Sequence, residues 1–99
     1  KRSPRDGEVL PDLPKEIRAQ ILNPNQILLD TLSIRMDHVR GGWHPLQYDP
    51  ESSTVHFTLP AIPHRGYFFV SLRARDKVDP TVTRETTWLF ITKKNKPKH

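Results

Sequence analysis

The sequence predicts an all-β domain, an antiparallel two-layer β-sandwich, on three observations. First, Thr54-Val55-His56-Phe57-Thr58-Leu59 and Tyr67-Phe68-Phe69-Val70-Ser71-Leu72-Arg73-Ala74-Arg75 show the two-residue alternation of half-buried strands. A third run, Thr86-Thr87-Trp88-Leu89-Phe90-Ile91-Thr92, has the β-branched and aromatic composition of another strand. Second, turn chemistry separates these runs: residues 60–66 hold two prolines and a glycine, and a polar loop with Pro80 follows residue 75. Third, none of the prolines falls inside a run, as expected of strands that donate hydrogen bonds on both sides.

The earlier elements are weaker. Over residues 13–22, Ile17, Ala19 and Ile21 alternate with Glu16, Arg18 and Gln20, which favours a strand. Leu13, Ile17 and Ile21 also fall at i, i+4 and i+8 behind Asp12 and Pro14, so an α+β fold with one N-terminal helix at 13–22 is the alternative. Leu32, Ile34 and Met36 alternate with Ser33 and Arg35 as a strand, whereas Ile27-Leu28-Leu29 is apolar on both faces, as in a central strand or a bulge. Arg40-Gly41-Gly42 and residues 49–53 signal turns, and Trp43, Leu46 and Tyr48 between them fit a short strand or a packed loop. Five to seven short strands in all are buried most naturally in two layers.

The 99 residues suffice for one domain with a single core. Residues 1–9 are expected to form a flexible polar lead-in, 10–92 the sandwich, and 93–99 a flexible basic tail. The net charge is +5; residues 1–8 contribute +1 and residues 93–98 contribute +4, so the body is formally neutral. Lysines 93, 94, 96 and 98 form an electrostatic tail that reads most simply as a linker into a neighbouring domain of a longer protein. With no cysteine, disulfides, thiol nucleophiles and thiolate metal sites are excluded. No apolar run is long enough for a membrane span, so no membrane insertion is expected.

Residues 55–92 resemble the last strands of a fibronectin type III or related immunoglobulin-like domain. The resemblance rests on the strand of form aromatic-x-Val-x-Val-x-Ala, here Phe68, Val70, Leu72 and Ala74, on the loop with Leu59, Pro60, Ile62 and Pro63, and on the closing strand 86–92. The lead-in Leu10-Pro11-Asp12-Leu13-Pro14 is similar to the proline-rich entry of such modules. It implies a β-sandwich, a non-catalytic role within a larger protein, and an extracellular or cell-surface location.

No residue pattern points to catalysis. Ser71 lacks a G-x-S-x-G setting, no glycine-rich phosphate loop occurs, and Asp30 is read as an outward carboxylate or one bonded to backbone at a bulge. The histidines 38, 44, 56, 64 and 99 include no pair at strand or helix metal-ligand spacing, and no cofactor is expected. The alternation of strand 67–75 directs Phe68, Val70, Leu72 and Ala74 inward and Tyr67, Phe69, Arg73 and Arg75 outward. Those four, with Trp88 on the next strand, form the candidate interaction surface.

The reading is a non-catalytic protein-interaction or spacer domain whose partner is another protein or a neighbouring domain. One alternative is a nucleic-acid-binding module that stacks bases on the same aromatic and arginine face, with the lysine tail as an electrostatic arm. Another is a viral or phage structural domain that assembles through the exposed aromatics.

Overall fold

The computed structural model describes residues 2–62 and 65–93. Nine strands run in chain order: β1 (Arg2–Ser3), β2 (Glu8–Leu10), β3 (Glu16–Gln20), β4 (Ser33–Met36), β5 (His44–Pro45), β6 (Gln47–Asp49), β7 (Thr54–Thr58), β8 (Gly66–Arg75) and β9 (Thr83–Thr92). They form a four-stranded sheet ordered β1-β3-β7-β6 and a five-stranded sheet ordered β2-β9-β8-β4-β5. Every pairing is antiparallel except the short parallel one between β2 and β9. The fold is all-β, and the two sheets pack as a sandwich.

The inner stripe of β8 lies where the alternation puts it. Phe68 and Val70 are fully buried and Leu72 and Ala74 nearly so, against Ile34 and Met36 from β4 and Trp88 and Phe90 from β9. Ile17, Ala19 and Val55 close the core from the opposite sheet. Phe68 and Phe90, paired across β8 and β9, stack with centroids 5.1 Å apart. Stacked aromatics at the sheet centre add roughly 1 kcal/mol beyond their buried area.

Residues 13–22 contain a strand and not the alternative helix. Ile17 and Ala19 are buried between exposed Arg18 and Gln20, and β3 pairs with β7 over all five residues. Within the lead-in expected over residues 1–9, the described residues include two short strands. Arg2 and Ser3 pair with Ala19 and Arg18 in one sheet, and Glu8 to Leu10 pair with Phe90 to Thr92 in the other. The chain crosses between sheets at Pro4, which is buried and accepts the Trp88 indole N–H on its carbonyl at 2.9 Å. A two-residue and a three-residue strand are too short to show a period, which is why composition alone reads as a tail.

The apolar triplet Ile27-Leu28-Leu29 is likewise not a central strand. Ile27 and Leu28 link two 3-10 helices, Pro24–Gln26 and Leu29–Thr31, and Leu29 opens the second. Pro24 suits the first turn of the former, and the Thr31 hydroxyl bonds back to the Leu28 carbonyl in the latter. Asp30 is exposed in the first turn of the second.

Asp76 organises the β8–β9 connection. Its Oδ2 accepts the backbone N–H groups of Val78 and Asp79 at 3.1 and 2.9 Å, and its Oδ1 accepts Arg84 Nε at 2.8 Å. The Asp79 N–H, followed by the Arg84 guanidinium, holds the carboxyl below the usual carboxylate range. A depressed folded-state pKa contributes stability above the unfolded value, and that contribution is lost as pH falls through the folded value. The melting-temperature gap between the native chain and Asp76→Asn is therefore expected to be wide at neutral pH and to close below about pH 4. A gap constant down to strong acid contradicts this assignment.

Candidate interaction surface

The two outer faces of the sandwich differ in chemistry. On the four-stranded sheet, Glu16, Arg18 and Gln20 of β3 lie beside Thr58, His56 and Thr54 of β7, with Gln47 and Asp49 of β6 beyond. Arg18 donates to Glu16 at 2.5 Å, and His56 Nδ1 lies 4.0 Å from the same carboxylate. That face is polar throughout and solvated, and its ion pairs contribute little.

The outer face of the five-stranded sheet has an apolar half and a cationic half. Register places Tyr67 beside Ile91 and Ile91 beside Val9, while Phe69 lies opposite Leu89. Val9, Tyr67 and Phe69 are 58%, 63% and 51% exposed, and Leu89 and Ile91 are half-buried. Asp37 fixes the centre of this patch: its backbone N–H donates to the Phe69 carbonyl at 3.2 Å and its Oδ2 accepts the Phe69 N–H at 3.1 Å. The aromatic ring is thus presented by a pinned backbone. Ser71 and Thr87, hydroxyl to hydroxyl at 2.9 Å, divide this half from the next.

The cationic half centres on Trp43. The Arg73 guanidinium lies 3.9 Å from the indole centroid and that of Arg35 5.5 Å, both within cation–π range. Neither arginine has a carboxylate within ion-pair distance among the described residues. The β4–β5 turn sets the tryptophan in place. Gly41 has φ +95°, and a Cβ there would come within 2.9 Å of the His44 ring, which bonds the Arg40 carbonyl at 2.6 Å. Sequence reasoning missed Trp43 and Arg35, and the signal was faint: a tryptophan directly after Gly41-Gly42, and an arginine in the polar register of β4.

The remaining candidates fall as follows. Tyr67, Phe69 and Arg73 share this face. Arg75 ends β8 away from the indole, its N–H donating to Thr31 Oγ1 and its carbonyl accepting the Leu28 N–H. Trp88 is not on the surface. It pairs with Val70, faces the core at 2% exposure, and takes a cation from the opposite sheet, Arg2, at 4.9 Å from its ring centroid. The aromatic partner of Arg73 is Trp43, because the turn leading into β5, and not β9, brings a ring beside it. Lys93 is exposed, with its backbone N–H on the Leu10 carbonyl, whereas Lys94, Lys96 and Lys98 lie outside the described residues.

Among the described residues no three His, Cys, Asp or Glu side chains gather as a metal cage, and no helix is long and apolar enough to cross a membrane. His64 and His99 lie outside the described residues.

No protein-family model matches the sequence, and no curated protein does. The structure is similar to the crystal structure of CopC from Methylosinus trichosporium OB3b, with a TM-score of 0.73 over 100% of this chain and 95% of that one. The two sequences are 13% identical, so the likeness shows a shared β-sandwich architecture and nothing of ligand or partner.

Proposed function

We propose that this chain is a non-catalytic interaction domain that meets another protein through the outer face of its five-stranded sheet. The observation that carries the reading is the asymmetry of the two outer faces. One is fully polar, while the other groups three large, half-exposed apolar side chains beside an indole flanked by two guanidiniums that have no carboxylate partner among the described residues. Contiguous exposed apolar surface next to arginine and aromatic side chains is the composition of protein interfaces.

The finer fold reading is immunoglobulin-like or fibronectin type III-like. Its support is strand order: β1-β3-β7-β6 against β9-β8-β4 corresponds to the ABED and GFC sheets of that class, with β2 and β5 added at the two ends of the latter. Such modules serve commonly in extracellular and cell-surface proteins, and we extend that location to this chain on the same basis.

Base stacking on Trp43 and assembly through Tyr67 and Phe69 are the competing uses of the same face. The 11.5 kDa domain is expected to sediment as one monomeric species across concentration and to leave a fluorescent single-stranded oligonucleotide unbound at low salt. Binding whose log affinity falls linearly with log salt would replace this reading with nucleic-acid recognition. Species that grow with concentration, and that vanish in Phe69→Ser, would replace it with self-assembly.

A further inference from the structure

The first half of β9 is open on one side. β2 covers β9 only from Phe90 to Thr92, so among the described residues no strand pairs with the outer edge of its first half. Strand geometry fixes which groups face that edge. The Leu89 N–H and carbonyl are directed away from β8, toward Asp6 Oδ1 and the Gly7 N–H, at 3.1 and 2.6 Å. With a period of two, Thr87, Glu85 and Thr83 direct their backbone N–H and carbonyl groups the same way. The Val82 carbonyl, which accepts the Asp76 N–H from the β8 side, confirms the alternation. This half-edge has no lysine, proline or bulge, and its only charges are Arg84 on the inner side and Glu85.

A cleft of about 350 Å³ lies beneath the same edge on the inner side of the sheet. Ile21, Ile27, Leu32 and Leu72 supply apolar lining, Arg84 and Thr86, the inward residues of the open half-edge, line it too, and Glu85 is the carboxylate among the lining residues. Arg2 reaches across from the other sheet, with Nη2 on Thr86 Oγ1 at 2.6 Å. It has no carboxylate within ion-pair distance among the described residues, and Arg84 spends only its Nε on Asp76.

We infer that the Thr83/Glu85/Thr87 edge accepts an extended peptide from another protein as an added strand, its inward side chains entering the cleft with an apolar residue followed by an acidic one. Main-chain bonds to the three edge residues supply affinity, and the cleft reads alternate side chains. The charge of the cleft selects the occupant. Arg2, with no carboxylate partner among the described residues, and Arg84, ion-paired with Asp76, face the inward positions of an added strand, so a carboxylate there is drawn in chiefly by Arg2. This chain's own C-terminal lysines have the wrong sign. A second copy paired symmetrically about Glu85 would set Glu85 against its equivalent, which is unfavourable for directly opposed like charges.

The test uses two short capped peptides in which threonine alternates with leucine and either glutamate or lysine, followed by amide chemical shifts of the whole chain. The glutamate peptide is expected to move the signals of Thr83, Glu85 and Thr87 and to bind about tenfold tighter than the lysine peptide, the size of one close charge contact. Arg2→Glu should invert that preference. Glu85→Pro, which removes an edge donor and no bond to β8, should abolish binding of the glutamate peptide while leaving the melting temperature near its native value. The inference is overturned if the shifts map to Tyr67 and Phe69, or if the preference survives Arg2→Glu. It is equally overturned if the chain dimerises without peptide and Glu85→Pro breaks the dimer, which would make a second copy the occupant. The supporting outcomes are read at the β9 edge alone, and shifts at Tyr67 and Phe69, on the outer side of the sheet, would report the other surface.

Discussion

Trp88→Ala is expected to destabilise the domain by about 3–5 kcal/mol, the range for deleting a large buried aromatic side chain. A domain of this length is stable by only about 5–15 kcal/mol in total, so the variant should populate unfolded chain at physiological temperature. Three losses combine. The side chain is 2% exposed and is the largest of the fully buried ones, so a cavity opens between Val70 and the opposite sheet. The buried Pro4 carbonyl loses the indole N–H that ties the sheet-crossing segment to β9. Arg2 loses the ring beneath its guanidinium. Trp88→Phe keeps most of the volume but not the hydrogen bond, and should cost about 1–2 kcal/mol. Urea denaturation of the three proteins checks the order. A near-native midpoint for Trp88→Ala would return this residue to the surface.

The paired variant Tyr67→Ser, Phe69→Ser is expected to behave in the opposite way. Both side chains are more than half exposed, so their combined contribution to folding is about 2 kcal/mol at most. Both bonds from Asp37 go to backbone atoms of residue 69, so a serine there keeps them. The variant should therefore fold with native spectra and lose partner binding by at least about tenfold, because exposed aromatic anchors dominate interface energetics. Trp43→Ala should reduce binding as well, by freeing Arg35 and Arg73 from a common platform.

The contrast between these two variants marks where the sequence was legible. Strand 67–75 has one polar and one apolar register, and that alone assigns all its faces. The closing strand has apolar residues in both registers: Trp88 and Phe90 in one, Leu89 and Ile91 in the other. Alternation cannot choose between them. The choice is made by the pairing of Val70 with Trp88, which depends on the loop that Asp76 organises. The cation–π centre was hidden for a related reason. Trp43 and Arg73 are thirty positions apart in the sequence, and only the order β8-β4-β5 brings them together. Residues 2–3 and 8–9 read as a lead-in because a strand that short has no period to show, and the 27–29 triplet as a strand because 3-10 turns leave little imprint on hydropathy.

The most direct test of the central claim is photo-crosslinking from the two outer faces of the folded domain in its native cellular setting. A photoreactive phenylalanine replaces Phe69 on the five-stranded sheet or His56 on the four-stranded sheet. The account predicts one discrete protein adduct from position 69, lost when Trp43→Ala is added, and none from position 56. Adducts from position 56, or from neither position, would contradict it.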